Sequence, residues 1–208
     1  MDLVTRPRIS KTEPESEWMA ETARGDHDAF RRIVERYQQT VLNLAYRFSG
    51  DADASLDLAQ DIFLKVYQSA PRYKPEARFS TWLYRVAVNH CLNQVRDHIR
   101  SERLSHSFRD SPMSHEWFDH SSPGPGASSP EGLLLEREKA MKIRKAIKDL
   151  PPRQRMALIL QRYHGFRYAE IATLMECSVG AVESMLVRAM DQLRVSLKDF
   201  WQGKGGMP

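Results

Sequence analysis

Residues 105–130 are the part of this 208-residue sequence that most restricts how it can fold. They read SHSFRDSPMSHEWFDHSSPGPGASSP, which is rich in Ser, Pro, Gly and His and has no apolar repeat. Such a segment cannot bury enough surface to offset the entropy that ordering costs, so it predicts a flexible linker. The linker leaves two parts that each have the size of a small domain. The predicted boundaries are 1–14 for a disordered tail, 15–104 and 131–201 for the domains, and 202–208 for a C-terminal tail.

The first part has the apolar spacing of helices. Apolar residues recur three or four positions apart through most of it, and strand alternation is essentially absent. Three helices are predicted: one capped by Asp26 and ended by Gly50, one from about Ala54 to Pro71 that buries Leu56, and one that takes Ser80 or Thr81 as its cap and runs to about Ile99.

The second part reads as several shorter helices. The first runs from about Pro130 to Leu150 and is broken by two prolines, at positions 151 and 152. The later stretch YAEIATLMECSVGAVESMLVRAMDQLR fits a helix-turn-helix with the turn CSVG at 177–180. A three-helix packing motif without a DNA role is the alternative. Both parts together predict an all-α chain made of two small helical domains.

The charge of the chain is unevenly distributed. The formal net charge is only +4, but residues 67–100 hold six basic and two acidic side chains, and residues 131–208 hold fourteen and nine. Residues 1–66 have an acidic balance. Two basic stretches are expected if two surfaces contact nucleic acid while the acidic front contacts another partner. Solvated helix faces are the alternative explanation for either stretch alone.

Sequence signatures of catalysis are missing. The chain has no GxGxxG or Walker glycine loop, no HExxH, no paired CxxC and no GxSxG, so we expect no enzyme activity, catalytic residue, metal site or cofactor. The two cysteines, Cys91 and Cys177, are too few for a disulfide framework and indicate buried, reduced thiols. The first twenty residues lack an apolar segment and no run is long enough to span a bilayer, so we expect a cytoplasmic protein without membrane insertion.

Three groups of side chains are candidates for binding partners. The polar side of the second helix holds Asp57, Gln60, Asp61 and Lys65. The loop and the third helix interleave aromatic rings with cations at Tyr73, Lys74, Phe79, Thr81, Trp82, Arg85 and Asn89. The second helix of the helix-turn-helix presents Ser178, Gly180, Glu183, Ser184, Val187 and Arg188 outward.

Each group suits a different kind of contact. Like charges on one helix face indicate an exposed or docking surface more than an acid–base pair. Aromatic rings among cations suit unpaired DNA, because exposed bases can stack while the cations meet the backbone, although Phe79 and Trp82 alone would more often be core residues. The outward helix face can reach base edges and phosphates in a major groove.

Two stretches resemble a known family. SLDLAQDIFLKVYQSAPRYKPEARFSTWLYRVAVNHCLNQVR resembles region two of bacterial sigma factors, and LPPRQRMALILQRYHGFRYAEIATLMECSVGAVESMLVRAMDQLR resembles region four, in that order. The whole chain is similar to extracytoplasmic-function (ECF) sigma factors, which have only these two domains.

The resemblance implies a function and partners. It implies a factor that joins core RNA polymerase at the beta-prime clamp and the beta flap and directs it to promoter DNA, and that an anti-sigma factor holds inactive. The second-helix group falls where the family docks on the clamp, and the loop and third-helix group falls where it captures the melted minus-ten strand, with Asn89 at the pocket for a flipped base. The helix-turn-helix group falls where the family reads the minus-thirty-five element.

One departure from the family pattern concerns the recognition helix. Many members have Arg or Lys where Glu183 and Met185 stand. Glu183 either accepts a hydrogen bond from a cytosine amino group or orients Arg188, and we favour orientation. The alternative function is a two-domain helix-turn-helix repressor or activator that binds DNA without being a polymerase subunit.

Overall fold

The computed structural model describes residues 13–102 and 130–198, with side-chain detail at 13–97 and 138–198. Within these ranges the chain is helical and has no strand, which confirms the all-α prediction. The helices are α1 (Pro14–Ala23), α2 (His27–Ser49), α3 (Ala52–Ser69), α4 (Phe79–Glu102), α5 (Pro130–Lys148), α6 (Pro152–His164), α7 (Tyr168–Leu174) and α8 (Val179–Ser196). A 3-10 turn, Ala70–Arg72, follows α3. Most of the predicted linker and tails lies outside the described residues.

Helices α2 and α3 begin at acidic caps. Asp26 Oδ1 accepts hydrogen bonds from two backbone N–H groups of the first turn of α2, at 2.8 and 3.0 Å. Asp51 Oδ1 accepts one from the Ala54 N–H at 2.9 Å, so α3 begins two residues earlier than its apolar spacing indicates. Gly50 ends α2 with φ of 68°, a left-handed conformation that glycine adopts at little cost.

A short helix that the apolar spacing does not reveal precedes α2. This helix, α1, packs against α2 and against the 3-10 turn after α3. Met19 and Thr22 are buried on its inner side. Helix α1 therefore supports the 3-10 turn from which the loop to α4 begins, and this loop carries residues predicted to contact unpaired DNA.

The start of α4 differs from the prediction. The helix begins at Phe79, so neither Ser80 nor Thr81 is its cap. Instead, the backbone N–H of Phe79 donates a hydrogen bond to Oε2 of Glu13 at 2.9 Å. The acceptor lies 66 residues earlier in the chain, which no local sequence pattern can indicate.

Helices α7 and α8 form the predicted helix-turn-helix. Ser178 Oγ accepts a hydrogen bond from a backbone N–H of the first turn of α8 at 3.2 Å and is therefore the cap of that helix. The turn covers 175–178 instead of the predicted 177–180, because the last two residues of the predicted turn belong to α8. Glu176 in this turn has φ of 50°, the one positive φ at a non-glycine position among the described residues.

The two helical domains pack against each other. Helix α6 contacts α2 and α4, and buried side chains from both domains form one continuous apolar core. The Arg155 guanidinium donates hydrogen bonds to the carbonyls of Phe48 at 2.7 Å and Leu150 at 3.1 Å. The Tyr84 hydroxyl lies 2.8 Å from Nδ1 of His164 in a second polar contact. Helix α4 is thus held both within its own domain and by α6.

Within residues 13–102 and 130–198, no helix combines the length and the apolarity that a bilayer crossing requires. The same ranges contain no group of three or more His, Cys, Asp or Glu placed to hold a metal ion. Cys91 is buried, and this burial raises the pKa of its thiol to about 12, whereas Cys177 is half-buried.

Candidate nucleic-acid and polymerase interfaces

A cluster of aromatic rings supports the loop between the 3-10 turn and α4. Phe79 is fully buried at its centre, and its ring centroid lies 5.2 Å from that of Tyr37, 6.0 Å from Tyr73 and 5.5 Å from Trp82. Tyr73 and Trp82 meet edge to face at 4.9 Å. Burial raises the pKa of the Tyr73 hydroxyl. Phe79 therefore offers no surface for the direct DNA contact predicted for it and instead supports the rings around it.

Trp82 separates two depressions on the surface of α4. The first, with a volume of about 570 Å³, includes Tyr73, Trp82, Asn89 and Lys65 in its lining. The second, of about 210 Å³, includes Lys74, Thr81, Trp82 and Arg85. Apart from Phe79, the residues predicted to contact unpaired DNA therefore line the two depressions beside the Trp82 indole ring. Lys65, from the predicted polymerase group, lines the first depression with them.

Asn89 lies where two hollows meet. It lines the first depression and also a larger cleft of about 690 Å³. Helix α4 forms one wall of this cleft, and Pro151, Arg153 and Glu176 of the second domain contribute to the other. A carboxamide has both donors and acceptors, so Asn89 has the chemistry to read the edge of an unpaired base.

Three polar residues on these walls are absent from the predicted groups. Asn93 and Arg96 line the large cleft with Asn89, and they follow it by four and seven positions, one and two helical turns along the same face. Arg72 lines both depressions beside Trp82. Extending the helical spacing from Asn89 would have found the first two.

The predicted polymerase group lies on an exposed face of α3. All four members of the group are exposed: Asp57, Gln60, Asp61 and Lys65. Leu56 and Leu64 lie on the exposed side as well, at 52% and 51% exposure, so the prediction that Leu56 is buried is wrong. The buried stripe instead contains Leu58 and Ile62, and Leu56 is out of phase with it. The face therefore combines acidic groups with apolar side chains that lack a cover among the described residues.

Asp61 has a histidine neighbour on α4. His90 Nε2 lies 3.4 Å from Asp61 Oδ2, but Nε2 has no hydrogen-bond partner, so the alignment does not make this contact a hydrogen bond. Burial lowers the pKa of His90, and the charge of Lys65 lowers it further, while Asp61 acts in the opposite direction. The ring is therefore neutral at neutral pH and leaves the Asp61 carboxylate unneutralised at this contact.

The outward face of α8 is open. Its exposed residues include Ser178, Gly180, Glu183, Ser184, Val187 and Arg188. The Ser184 hydroxyl donates to the Gly180 carbonyl at 2.9 Å, within the helix. No ion pair links Glu183 to Arg188 among the described residues. Both side chains are available to a partner.

The fold and these surfaces define a two-domain helical protein with two separate faces suited to nucleic acid. The family Sigma-70 region 2 matches residues 33–101, and Sigma-70, region 4 matches residues 140–193. Among curated proteins, the RNA polymerase sigma-H factor of Pseudomonas aeruginosa is 32% identical over 89% of this chain and 95% of its own length. The ECF RNA polymerase sigma-E factor of Escherichia coli K12 is 34% identical over 82% of this chain and 87% of its own.

Two solved structures share the fold. The sigma factor RpoE of Bartonella quintana, in complex with the anti-sigma factor NepR, has a TM-score of 0.61 and 24% identity, over 81% of this chain and 96% of that one. CnrH, in complex with the cytosolic domain of CnrY, has a TM-score of 0.60 and 21% identity, over 90% and 99%. The chain belongs to the ECF sigma factors of the sigma-70 family. It is accordingly a DNA-binding transcription initiation factor that associates with RNA polymerase, and the matches do not support the repressor alternative.

Proposed function

We propose that this sigma factor contacts its promoter through two separate surfaces, one on each domain. The loop after the 3-10 turn and the exposed face of α4 capture the melted minus-ten strand. The outward face of α8 reads the minus-thirty-five element while it is still duplex. The observation that carries this proposal is the pair of depressions around Trp82, whose walls combine an aromatic ring, a carboxamide and cations from α3, α4 and the segment between them.

The minus-ten surface has the chemistry that single strands require. Stacking of a base on an aromatic ring contributes about 1–3 kcal/mol, and Trp82 presents its ring between the two depressions. Arg72, Lys74 and Arg85 surround it and can meet the phosphates. Asn89 reads a flipped base, and the adjoining depression of about 570 Å³ has room for one.

The recognition helix uses a simpler arrangement. The first turns of α8 present short side chains, Ser178 and Gly180, which allow close approach to DNA, and its N-terminal N–H groups favour a phosphate. Arg188 stands further along the exposed side and can contact a phosphate or a base edge. Glu183, which is not tied to Arg188, can accept a hydrogen bond from a cytosine amino group.

The exposed face of α3 docks on the beta-prime clamp of core polymerase in this proposal. Asp57, Gln60, Asp61 and Lys65 supply polar contacts, and the half-exposed Leu56 and Leu64 supply apolar area. A polar rim around a more apolar centre is the usual composition of a protein interface. The second domain contacts the beta flap.

An anti-sigma factor completes the set of proposed partners. One solved neighbour with the same fold is a sigma factor in complex with an anti-sigma factor, and the other is CnrH in complex with the cytosolic domain of CnrY. We place the factor in the cytoplasm, without catalytic activity of its own. A factor purified from its native cells should carry a stoichiometric inhibitor whose removal raises run-off transcription, and a fully active factor with nothing to remove would contradict this part of the proposal.

The proposal as a whole is tested by reconstituted transcription. The full chain is mixed with core RNA polymerase and a randomised promoter library, and the initiated transcripts are sequenced. We expect transcripts that start downstream of one shared pair of elements. No specific initiation from any library member, together with tight DNA binding by the protein alone, would contradict it.

A matched pair of variants tests the polymerase face in the same assay. Asp57→Asn combined with Asp61→Asn should weaken binding to core polymerase by roughly tenfold, as expected for loss of polar contacts at an interface. Glu35→Gln removes one exposed carboxylate from a different helix, α2, and should leave binding unchanged. Equal affinities of the double variant and the control would contradict the docking face.

A further inference from the structure

Helix α1 lies before the residues that match sigma region 2, which begin at 33. Nothing in the sequence of the helix gives it a role in binding DNA or polymerase. The structure nevertheless packs it against the 3-10 turn, Ala70–Arg72, which leads into the proposed minus-ten loop. One end of this loop therefore rests on α1.

The other end of the loop is fixed by Glu13, the residue that precedes α1. Its Oε2 accepts a hydrogen bond from the backbone N–H of Phe79 at 2.9 Å. The first N–H groups of a helix have no acceptor inside the helix, and Phe79 is fully buried. Glu13 therefore supplies an acceptor to a backbone N–H that would otherwise have none. A carboxylate at a helix N-terminus also interacts favourably with the helix dipole.

A second connection runs through Glu15. Its side chain is only 4% exposed, and its Oε1 accepts a hydrogen bond from the Tyr37 hydroxyl at 2.9 Å and lies 3.1 Å from Arg36 Nε. The Tyr37 ring in turn packs against Phe79 at 5.2 Å. Burial and the bond to Glu15 both raise the pKa of Tyr37, so the hydroxyl stays a donor. The start of α1 is thus connected to Phe79 in two ways. Glu13 bonds to the Phe79 backbone N–H, and Glu15 holds the Tyr37 ring that packs against the Phe79 ring.

We propose that Glu13 is a positioning residue for promoter opening, and that it acts by holding the minus-ten loop between α1 and the start of α4 in its binding shape. This inference rests on the proposed role of the loop and α4 in capturing the melted strand. A loop fixed at both ends loses less conformational freedom when DNA binds. Loss of the Glu13 bond frees the end of the loop next to α4 and makes capture of the strand less favourable.

The test compares Glu13→Ala, Glu13→Gln and Glu17→Ala in the full chain assembled with core polymerase. Opening is followed by 2-aminopurine fluorescence in the minus-ten region, and binding of a minus-thirty-five duplex is measured in parallel. Glu13→Ala should reduce opening about five-fold, the effect typical of losing one helix cap, without changing duplex binding. Glu13→Gln keeps an acceptor oxygen and should restore most of the opening. Glu17 is exposed on the same helix and serves as the control.

Hydrogen exchange of the Phe79 amide gives an independent readout. The amide should exchange faster in Glu13→Ala than in Glu13→Gln, because only the first variant removes its acceptor. Normal opening by Glu13→Ala would overturn the inference, and so would an equal defect in Glu13→Ala and Glu13→Gln. Asn89→Ala in the same assay reports on the proposed function itself: if it is impaired while Glu13→Ala is normal, only the role of Glu13 fails, and if both are normal, both proposals fail.

Discussion

The two faces proposed to contact DNA are built in opposite ways. The surface on α4 depends on tertiary structure, because its rings rest on Tyr37, its first N–H bonds to Glu13, and Tyr84 on its other side reaches α6. Among the predicted DNA-contacting residues of α8, the side-chain hydrogen bonds are local: Ser178 accepts from the Ala181 N–H, and Ser184 donates to the Gly180 carbonyl. One face is therefore a preorganised pocket system, and the other is a helix side that any well-packed helix could carry.

This difference has a physical reason. Unpaired bases are flexible and must be held in a fixed shape by the protein, so the protein surface has to be rigid before binding. Duplex DNA already has a fixed groove, and an exposed helix fits it without further support. Substitutions on α4 should therefore change folding and DNA capture together, whereas substitutions on α8 should change DNA binding alone.

The largest expected effect is that of Phe79→Ala. Removing this fully buried ring from the aromatic cluster should lower the free energy of unfolding by about 3–5 kcal/mol. Chemical denaturation of the full chain measures it. Val187→Ala on the exposed side of α8, where Val187 is 61% exposed, should change stability by less than about 0.5 kcal/mol. Similar losses in both variants would remove the contrast between the two faces.

The stability of the chain should depend on pH through His164 of α6, which contacts Tyr84 of α4. Burial lowers the pKa of His164 from 6.5 to about 4, and the charge of Arg47 adds to this shift. Protons therefore bind the unfolded chain first as the pH falls, so the stability that is present above pH 6.5 should be lost between pH 6.5 and 4. Allowing for partial exposure, the loss is about 2 kcal/mol.

His164→Gln is the variant that isolates this effect. The amide can still bond to Tyr84 but does not titrate, so the dependence of stability on pH over this interval should become shallower. Urea unfolding at several pH values measures it. An unchanged pH profile would mean that the contact between α4 and α6 contributes nothing to the acid sensitivity of the chain.

Arg188→Ala tests whether a residue on the α8 face contributes to DNA binding without contributing to stability. Loss of one phosphate contact should weaken binding to the minus-thirty-five duplex by roughly tenfold and reduce the salt slope by about 0.9, with no change in unfolding. Arg194→Ala is the control, because Arg194 on the same helix is already paired with Asp191 at 2.7 Å. If the salt slope keeps its wild-type value, Arg188 is not a phosphate contact.

The smallest expected effect concerns the turn between α7 and α8. Glu176 has φ of 50°, a conformation that costs a side-chain-bearing residue energy, so Glu176→Gly should stabilise the chain by about 0.5–1 kcal/mol. Glu176→Ala removes the same charge but keeps the strained backbone, so it should bring no gain. Thermal unfolding of the two variants compares them. A gain in both would assign the effect to charge instead of backbone conformation.

Much of the fold could be predicted because helix caps, proline breaks and apolar spacing depend on residues that are close in the sequence. The Asp26 cap and the proline break before α6 are read from neighbouring residues, and the apolar spacing between them places the long helices. The clearest failure, the start of α4, depends on Glu13 from a distant part of the chain. Local spacing contains no information about such a bond.

The candidate site shows the same division. The mix of aromatic and basic residues placed Trp82, Arg85 and Asn89 in one predicted group, and in the structure all three line depressions beside α4. Spacing alone could not separate Phe79 from its neighbours, since burial is decided by the packing of Tyr37 and α1. The wall of the large cleft that comes from the second domain was likewise invisible, because it requires the contact between the domains.

The central claim is that α4 captures the melted strand while α8 reads the duplex. Its most direct test is Asn89→Ala in holoenzyme, with 2-aminopurine fluorescence in the minus-ten region and binding of the minus-thirty-five duplex measured on the same preparation. Opening should fall roughly tenfold, because contacts to one base are lost, while duplex binding stays within about twofold of wild type. Equal losses in opening and in duplex binding would contradict it.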